Sequence, residues 1–285
     1  MRALADFVMR SRFHAIGAAI ISASLPLLNW LGNAIVGLVI LRRGPVEGLF
    51  VLMWAVLPLG VAFYWVGDPS PVIALVGTAL LAYVLRVTVS WEITLVVAVV
   101  VSAIGSLIFE YTATVVLATI VEWYLQYTSE IAEQLKQTSD ISVEQAKNSI
   151  MGFFAMGQAF AMIAFLVLAR WWQSQLYSPG AFQKEFHQIR MSPALSGGLV
   201  TMLLVCFVFS EQLGRWIPLL TVPLIITAIA FVHWLIKFKS LSGNWVFGFY
   251  MLLLVLFQVV YPLLASLALM DSWFNLRTRF QSEEV

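Results

Sequence analysis

The chain has 285 residues, of which 61% are hydrophobic and only 11% are charged, with a formal net charge of +1 at pH 7. Soluble domains carry about 25% charged residues, so this composition excludes an ordinary soluble protein and indicates one that crosses the bilayer several times. Cys206 is the single cysteine, which excludes both an intrachain disulfide and a cysteine metal cluster. The small net charge does not indicate a nucleic-acid partner, and none is expected, because the tryptophans cluster near predicted span ends as in an aromatic belt.

Long apolar segments follow one another along the whole chain. They predict an all-α polytopic membrane protein of about eight to ten transmembrane helices, folded as one integral membrane domain over residues 1–285. The segments cover residues 13–27, 30–41, 46–66, 71–87, 92–109, 150–170, 194–211, 216–236 and 245–270.

The first two segments predict a helical hairpin. Pro26 to Asn33, "PLLNWLGN", interrupts an apolar stretch that is too long for one straight span of about 20 residues. With a hairpin here, most Lys and Arg residues fall on the side of the N-terminus, so the positive-inside rule predicts a cytoplasmic N-terminus. The side of the C-terminus stays open. Nine crossings would place it outside, whereas Arg277 and Arg279 favour the inside.

Two connecting segments have a character of their own. Residues 111–149 predict an extracytoplasmic helical hairpin that turns near Thr138 to Asp140, either as a lid or docking element or as a solvated extension of two long helices. Residues 173–193 predict a cytoplasmic amphipathic helix that anchors to the membrane surface or contacts a cytoplasmic partner. Its apolar face would hold Phe182, Phe186 and Ile189, and its polar side would hold Lys184 and Arg190.

The sequence contains no recognisable arrangement of a nucleophile with a base and no phosphate-binding loop. Its three histidines lie far apart without the spacing of a helical metal site. We therefore expect no catalytic residue, no metal and no cofactor, and the protein is not expected to be an enzyme.

Polar residues at membrane depth are the remaining candidates, because they are costly there. Asn29, Glu92, Glu110 and Gln158 are the proposed ligand-binding residues. The alternatives are that Glu92 and Glu110, about 27 Å apart along one helix, are charges at helix ends, and that Asn29 and Gln158 bond a neighbouring helix.

Ala15, Ala19 and Ala23 lie on one side of the first apolar helix, where small residues allow another helix to approach closely. That second helix belongs either to this chain or to another membrane protein.

Several short motifs resemble the YybS-like bacterial inner-membrane proteins, a family distantly related to the substrate-binding S components of energy-coupling-factor transporters. The motifs are "LVILRRGPVEGL" (38–49), "LRVTVSWEITL" (85–95), "SPGAFQKEFHQIRMSPALS" (178–196), "AIAFVHWLIK" (228–237) and "LALMDSWFNLRTR" (267–279).

The resemblance implies a multi-pass location in a bacterial inner membrane. It also implies an S-component-like core of six helices within residues 13–170, followed by additional transmembrane helices within 194–271. S components dock on a membrane partner through an "AxxxA" pattern in the first helix, which Ala15, Ala19 and Ala23 match. The additional helices depart from the plain S-component pattern and could cover the docking surface.

Two functions follow from these observations. The first is S-component-like binding or transport of a small molecule, with a closed polar cavity beneath residues 110–149 and an exposed alanine stripe. The second is a membrane interaction or assembly protein without a transported substrate. The expected partners are the lipid bilayer, a membrane protein at the first helix and an unidentified small-molecule ligand.

Overall fold

A computed structural model describes residues 2–135 and 141–282, and these residues form helices and turns without a strand. The helices are α1 (Arg2–Arg10), α2 (Arg12–Ser24), α3 (Asn29–Arg43), α4 (Pro45–Val66), α5 (Ser70–Thr88), α6 (Trp91–Thr112), α7 (Thr114–Gln134), α8 (Val143–Tyr177), α9 (Ala181–Phe186), α10 (Pro193–Val208), α11 (Ser210–Leu213), α12 (Ile217–Phe238), α13 (Asn244–Val255), α14 (Phe257–Phe274) and α15 (Leu276–Ser282).

Six of these helical segments are long and apolar enough to cross a membrane, which confirms an all-α polytopic membrane protein. They are Pro45–Val66, Ser70–Thr88, Trp91–Thr112, Val143–Tyr177, Ser210–Phe238 and Phe257–Phe274. Two shorter apolar helices, α10 and α13, and the α2–α3 pair occupy the remaining predicted segments. The number of eight to ten crossings stays a prediction.

The helical hairpin at the start of the chain forms as predicted. The chain reverses through a 3-10 turn at Pro26–Leu28, between α2 and α3. Proline favours the first position of such a turn because its φ angle is already fixed and it has no N–H to leave unpaired. Gly32 on α3 lies so close to α2 that a Cβ there would be 3.1 Å from Ser22 Oγ. The two helices therefore pack against each other along their small residues.

Long-range contacts define two ends of the helical bundle. At the hairpin end, Glu110 of α6 meets Lys147 near the start of α8. At the basic end, Arg170 of α8 pairs with Glu185 of α9. Following the direction of each helix places the described Lys and Arg residues other than Lys147 and Arg215 at the basic end: Arg2, Arg10, Arg12, Arg42, Arg43, Arg86, Arg170, Lys184, Arg190, Lys237, Lys239, Arg277 and Arg279.

The interior consists of one large apolar cluster and a second cluster that shares α12. The first contains Leu166 and Trp172 of α8, both with no exposed surface, together with residues of α2 to α6. It also includes Val222 of α12, whereas the second cluster joins other residues of α12 to α10 and α14. The additional C-terminal helices thus continue the N-terminal core without a gap.

The segment at 173–193 differs from the single amphipathic helix that the sequence predicts. Residues 173–177 are the last part of α8, and α9 covers only Ala181–Phe186. The chain leaves helical geometry after His187, so Ile189 and Arg190 lie outside any helix. The helix predicted over 173–193 is therefore wrong in extent, because Ser178 ends α8 and Gly180, with a φ of 83°, starts a new turn.

Candidate polar groove at the hairpin end

Glu110 is the centre of an ion-pair cluster at the hairpin end. Its Oε1 lies 2.9 Å from Lys147 Nζ, and its Oε2 accepts a hydrogen bond of 2.9 Å from Arg215 Nη1. The Glu110 side chain is half-buried, so these contacts are less screened by water than those of a surface pair. The cluster ties α6 and α8 to the turn Gly214–Trp216 that precedes α12.

A polar groove of about 550 Å³ opens beside this cluster. One wall is the start of α8, and the other is formed by α11 and the turn that follows it. The lining residues are Ser142, Glu144, Gln145, Asn148, Ser149, Gly152, Phe153, Ser210, Glu211, Gly214, Arg215 and Pro218. This volume lies within the range of about 300 to 1,000 Å³ that is typical of small-molecule sites.

The two walls of the groove meet at Gly152. A Cβ atom at this position would lie 2.5 Å from the carbonyl oxygen of Arg215. Only glycine allows this approach of backbone to helix without displacing the turn. The base of the groove is consequently defined by backbone packing, whereas its polar lining comes from side chains of α8 and its cap, of α11 and of the turn that follows α11.

The start of α8 is capped by side chains of its own first turn. Ser142 Oγ accepts a hydrogen bond from the backbone N–H of Gln145, and the Gln145 side chain accepts one from the N–H of Ser142. This reciprocal capping box satisfies two N–H groups that a helix start otherwise leaves unpaired. The hairpin predicted at 111–149 is thus built from α7 and α8, and its predicted turn at Thr138 to Asp140 lies outside the described residues.

The charges of the groove are unevenly paired. Arg215 pairs with Glu110, a carboxylate that it shares with Lys147, and its guanidinium also lies 4.7 Å from the centroid of the Trp216 ring. Glu144 and Glu211 are exposed, and neither has an ion-pair or hydrogen-bond partner within residues 2–135 and 141–282. Two carboxylates therefore remain available to a ligand that carries positive charge.

The structure does not bring the four predicted ligand residues together in one closed cavity. Glu92 and Glu110 sit at opposite ends of α6, where Glu92 Oε1 accepts the backbone N–H of Ser192. Gln158 is buried and donates to the carbonyl oxygen of Ser70 at 3.3 Å. Asn29 is half-buried at the first position of α3. None of the four lines the groove, although Glu110 holds the Arg215 side chain that does.

The small-residue stripe is an internal packing surface and not an exposed one. Ala15 and Ala19 have no exposed surface and Ala23 is 6% exposed. A Cβ at Gly32 of α3 would lie 3.6 Å from the Ala19 carbonyl oxygen, which shows how closely α3 covers the stripe. The expectation of an exposed stripe for a docking partner is therefore wrong, because this chain supplies the second helix.

The residues of the predicted interfacial helix also turn inward. Ile189 is 3% exposed, and Phe182 and Phe186 pack against the main apolar cluster. The Phe186 ring contacts His233 with a centroid distance of 5.4 Å. Lys184 stays exposed and Arg190 is half-buried. The three apolar side chains do share a packing surface, but they pack against the helical bundle and not against the membrane surface.

The sequence alone did not indicate that Arg215, Glu144 or Glu211 belongs to a site. Arg215 and Glu110 are 105 residues apart in the chain, and each is a lone charge at the end of an apolar segment. The sequence offered one indication: oppositely charged residues at the ends of spans, on the same side of the membrane, can form ion pairs.

Comparisons of the chain with protein-family models, curated proteins and solved structures gave no match. The resemblance to the YybS-like family therefore stays a prediction. The fold and the distribution of apolar surface define the class: this is an all-α integral membrane protein with several membrane-spanning helices.

Proposed function

We propose that this membrane protein binds a small polar solute that carries a positive charge, in the groove at the hairpin end. This is the S-component-like binding or transport function, with the site moved from a closed cavity to an open groove. The observation that carries the proposal is a polar groove of about 550 Å³ in which Glu144 and Glu211 keep their carboxylates unpaired among the described residues. The positive-inside rule supports an extracytoplasmic position, because Lys and Arg cluster at the opposite end.

The internal position of Ala15, Ala19 and Ala23 bears on how such a protein would work. Since α3 covers the stripe, coupling to an energy-supplying membrane subunit would need a different surface. We therefore propose solute binding as the function of the groove.

The proposal is tested by native mass spectrometry of the gently extracted protein, first as purified and then after incubation with spermidine, lysine or betaine. We expect one small molecule per chain for the wild type and a loss of about tenfold or more in affinity for E144Q/E211Q, because two carboxylate contacts are removed. The matched control is E122Q, which removes an exposed carboxylate of α7 that does not line the groove.

Equal occupancy in E144Q/E211Q and wild type would contradict the assignment of the groove. Absence of any small ligand, together with a membrane protein that crosslinks to the region between Glu130 and Lys147 or between Phe182 and Arg190, would favour the second candidate, an assembly role.

A further inference from the structure

A second polar cavity, of about 450 Å³, lies at the basic end, between α9, the end of α12 and α15. Its ionisable lining consists of Lys184, His187, Arg190 and Arg277, without a carboxylate among the described lining residues. Trp234 and Asn275 also line the cavity. A cavity in which every ionisable group is basic favours an anion.

Within the described residues, two carboxylates close to this cavity in the chain already bind cations of the protein. Asp271 Oδ2 accepts a hydrogen bond of 3.0 Å from Arg277 Nε. Glu185 accepts from Arg170 Nη2 at 2.6 Å and from Trp91 Nε1 at 2.6 Å. Lys184 and Arg190 have no carboxylate within ion-pair distance in the part of the chain that the structure describes. These two cations remain available for an external anion.

The loop after α9, which carries Arg190, is fixed by Arg277. Its Nη2 donates to the carbonyl oxygen of Ile189 at 2.8 Å, and its Nη1 donates to that of His187. Asn275 allows this arrangement because its left-handed conformation, with a φ of 49°, ends α14 and redirects the chain into α15. The cavity is therefore held open by bonds that need no ligand.

Like charges crowd one another around this loop. Burial first, and then the nearby charges of His233, Arg277 and Lys237, lower the pKa of His187 below the usual histidine value. Burial also lowers the pKa of Arg277, the Asp271 carboxylate opposes this, and Arg190 lowers it further. A bound anion would relieve this repulsion.

We infer that the cavity at the basic end binds a phosphate group, in particular the headgroup of an anionic phospholipid. Trp234 lies near the end of the apolar helix α12, and tryptophans at the ends of membrane-spanning helices commonly contact lipid headgroups. Basic pockets between transmembrane helices on the cytoplasmic side are typical sites for such headgroups. A soluble phosphate has the same chemistry, and the experiment separates the two sources.

The lipid arm of the test measures, by native mass spectrometry, how much phosphatidylglycerol or phosphatidylcholine of equal chain length the purified protein retains. We expect wild type to prefer phosphatidylglycerol and K184Q/R190Q to bind it about tenfold more weakly. R2Q is the matched control, because Arg2 is an exposed cation of the basic end that does not line the cavity. K184R/R190K keeps both charges and should retain the preference.

The soluble arm measures binding of radiolabelled inorganic phosphate to the same proteins by equilibrium dialysis. Binding by wild type and R2Q but not by K184Q/R190Q would assign the cavity to a soluble phosphate. Thermal unfolding in detergent is measured for every variant, and if the double variant does not fold, K184Q and R190Q are tested singly, each with an expected loss of about threefold. The inference is overturned if these variants match wild type in both arms.

Discussion

Two ion pairs at the basic end differ greatly in exposure to water. The side chains of Asp271 and Arg277 are 3% and 10% exposed, whereas those of Asp6 and Arg10 are 59% and 64% exposed. A buried charge that loses its partner is left without compensation, whereas water solvates an exposed charge that loses its partner. The two pairs should therefore respond very differently to removal of the acid.

Replacing Asp271 with alanine is expected to lower the free energy of unfolding by about 3 to 5 kcal/mol, because Arg277 would stay buried without its counter-ion. The measurement is thermal or denaturant unfolding in detergent. The matched control, D6A, removes an exposed acid from a pair at the same end of the bundle and should change stability little. A D271A protein as stable as D6A would show that water reaches Arg277.

At the scale of helices, the packing of α8 against the turn before α12 depends on one glycine. Gly152 lies against the carbonyl oxygen of Arg215, while a Cβ at Gly157, further along the same helix, would meet nothing within 4 Å. Alanine has the better intrinsic helix propensity at both positions. Only the contact with the turn distinguishes the two substitutions.

We expect G152A to lose about 1 to 3 kcal/mol of stability through overpacking against the backbone of the turn. G157A should be as stable as wild type or slightly more stable. Unfolding of both variants in detergent tests the stability, and the solute-binding assay tests whether G152A also disturbs the groove. Equal stability of the two variants would mean that the turn moves away from α8 at no cost.

Local signals in the sequence were enough for elements whose structure is decided by neighbours in the chain. The stretch that begins at Pro26 predicted the turn of the first hairpin, and the structure places that turn at Pro26–Leu28. The partners of side chains were not predictable in this way. Phe182 and Phe186 have the spacing of an amphipathic helix, but the spacing cannot tell whether their apolar side meets lipid or the bundle.

The candidate sites depend even more on distant contacts. Arg277 fixes a loop about 90 residues earlier in the chain, and Arg215 meets a carboxylate 105 residues away. Periodicity describes only which residues share a side of one helix, so neither cavity could be predicted from it. What the sequence did predict was that most Lys and Arg residues lie at one end of the bundle.

For the whole molecule, the contacts place both ends of the described chain on one side. Arg277 near the C-terminus bonds the loop after α9, and Arg43 at the end of α3 donates to the carbonyl oxygen of Met9. The sequence left open on which side of the membrane the C-terminus lies. These contacts place the last described helix at the basic end, so its side is the side on which the basic end lies. The positive-inside rule predicts that this end is cytoplasmic.

We expect single cysteines in a C206S background to report this orientation in intact cells. S129C, on α7 at the hairpin end, should react with a membrane-impermeant maleimide, because Ser129 is exposed there. S178C, at the basic end, should react only after permeabilisation. The reverse pattern would invert the predicted topology and would place the polar groove in the cytoplasm.

The length of α8 allows one helix to reach both ends of the bundle. Its 35 residues span about 52 Å at 1.5 Å per residue, well beyond a hydrocarbon core of about 30 Å. One end of this rod carries Gly152 and the groove wall, and the other carries Arg170, which holds α9 through Glu185. Proline is the usual cause of a sharp kink, and α8 has none within it, so a single uninterrupted helix runs from the groove wall to the residue that holds α9.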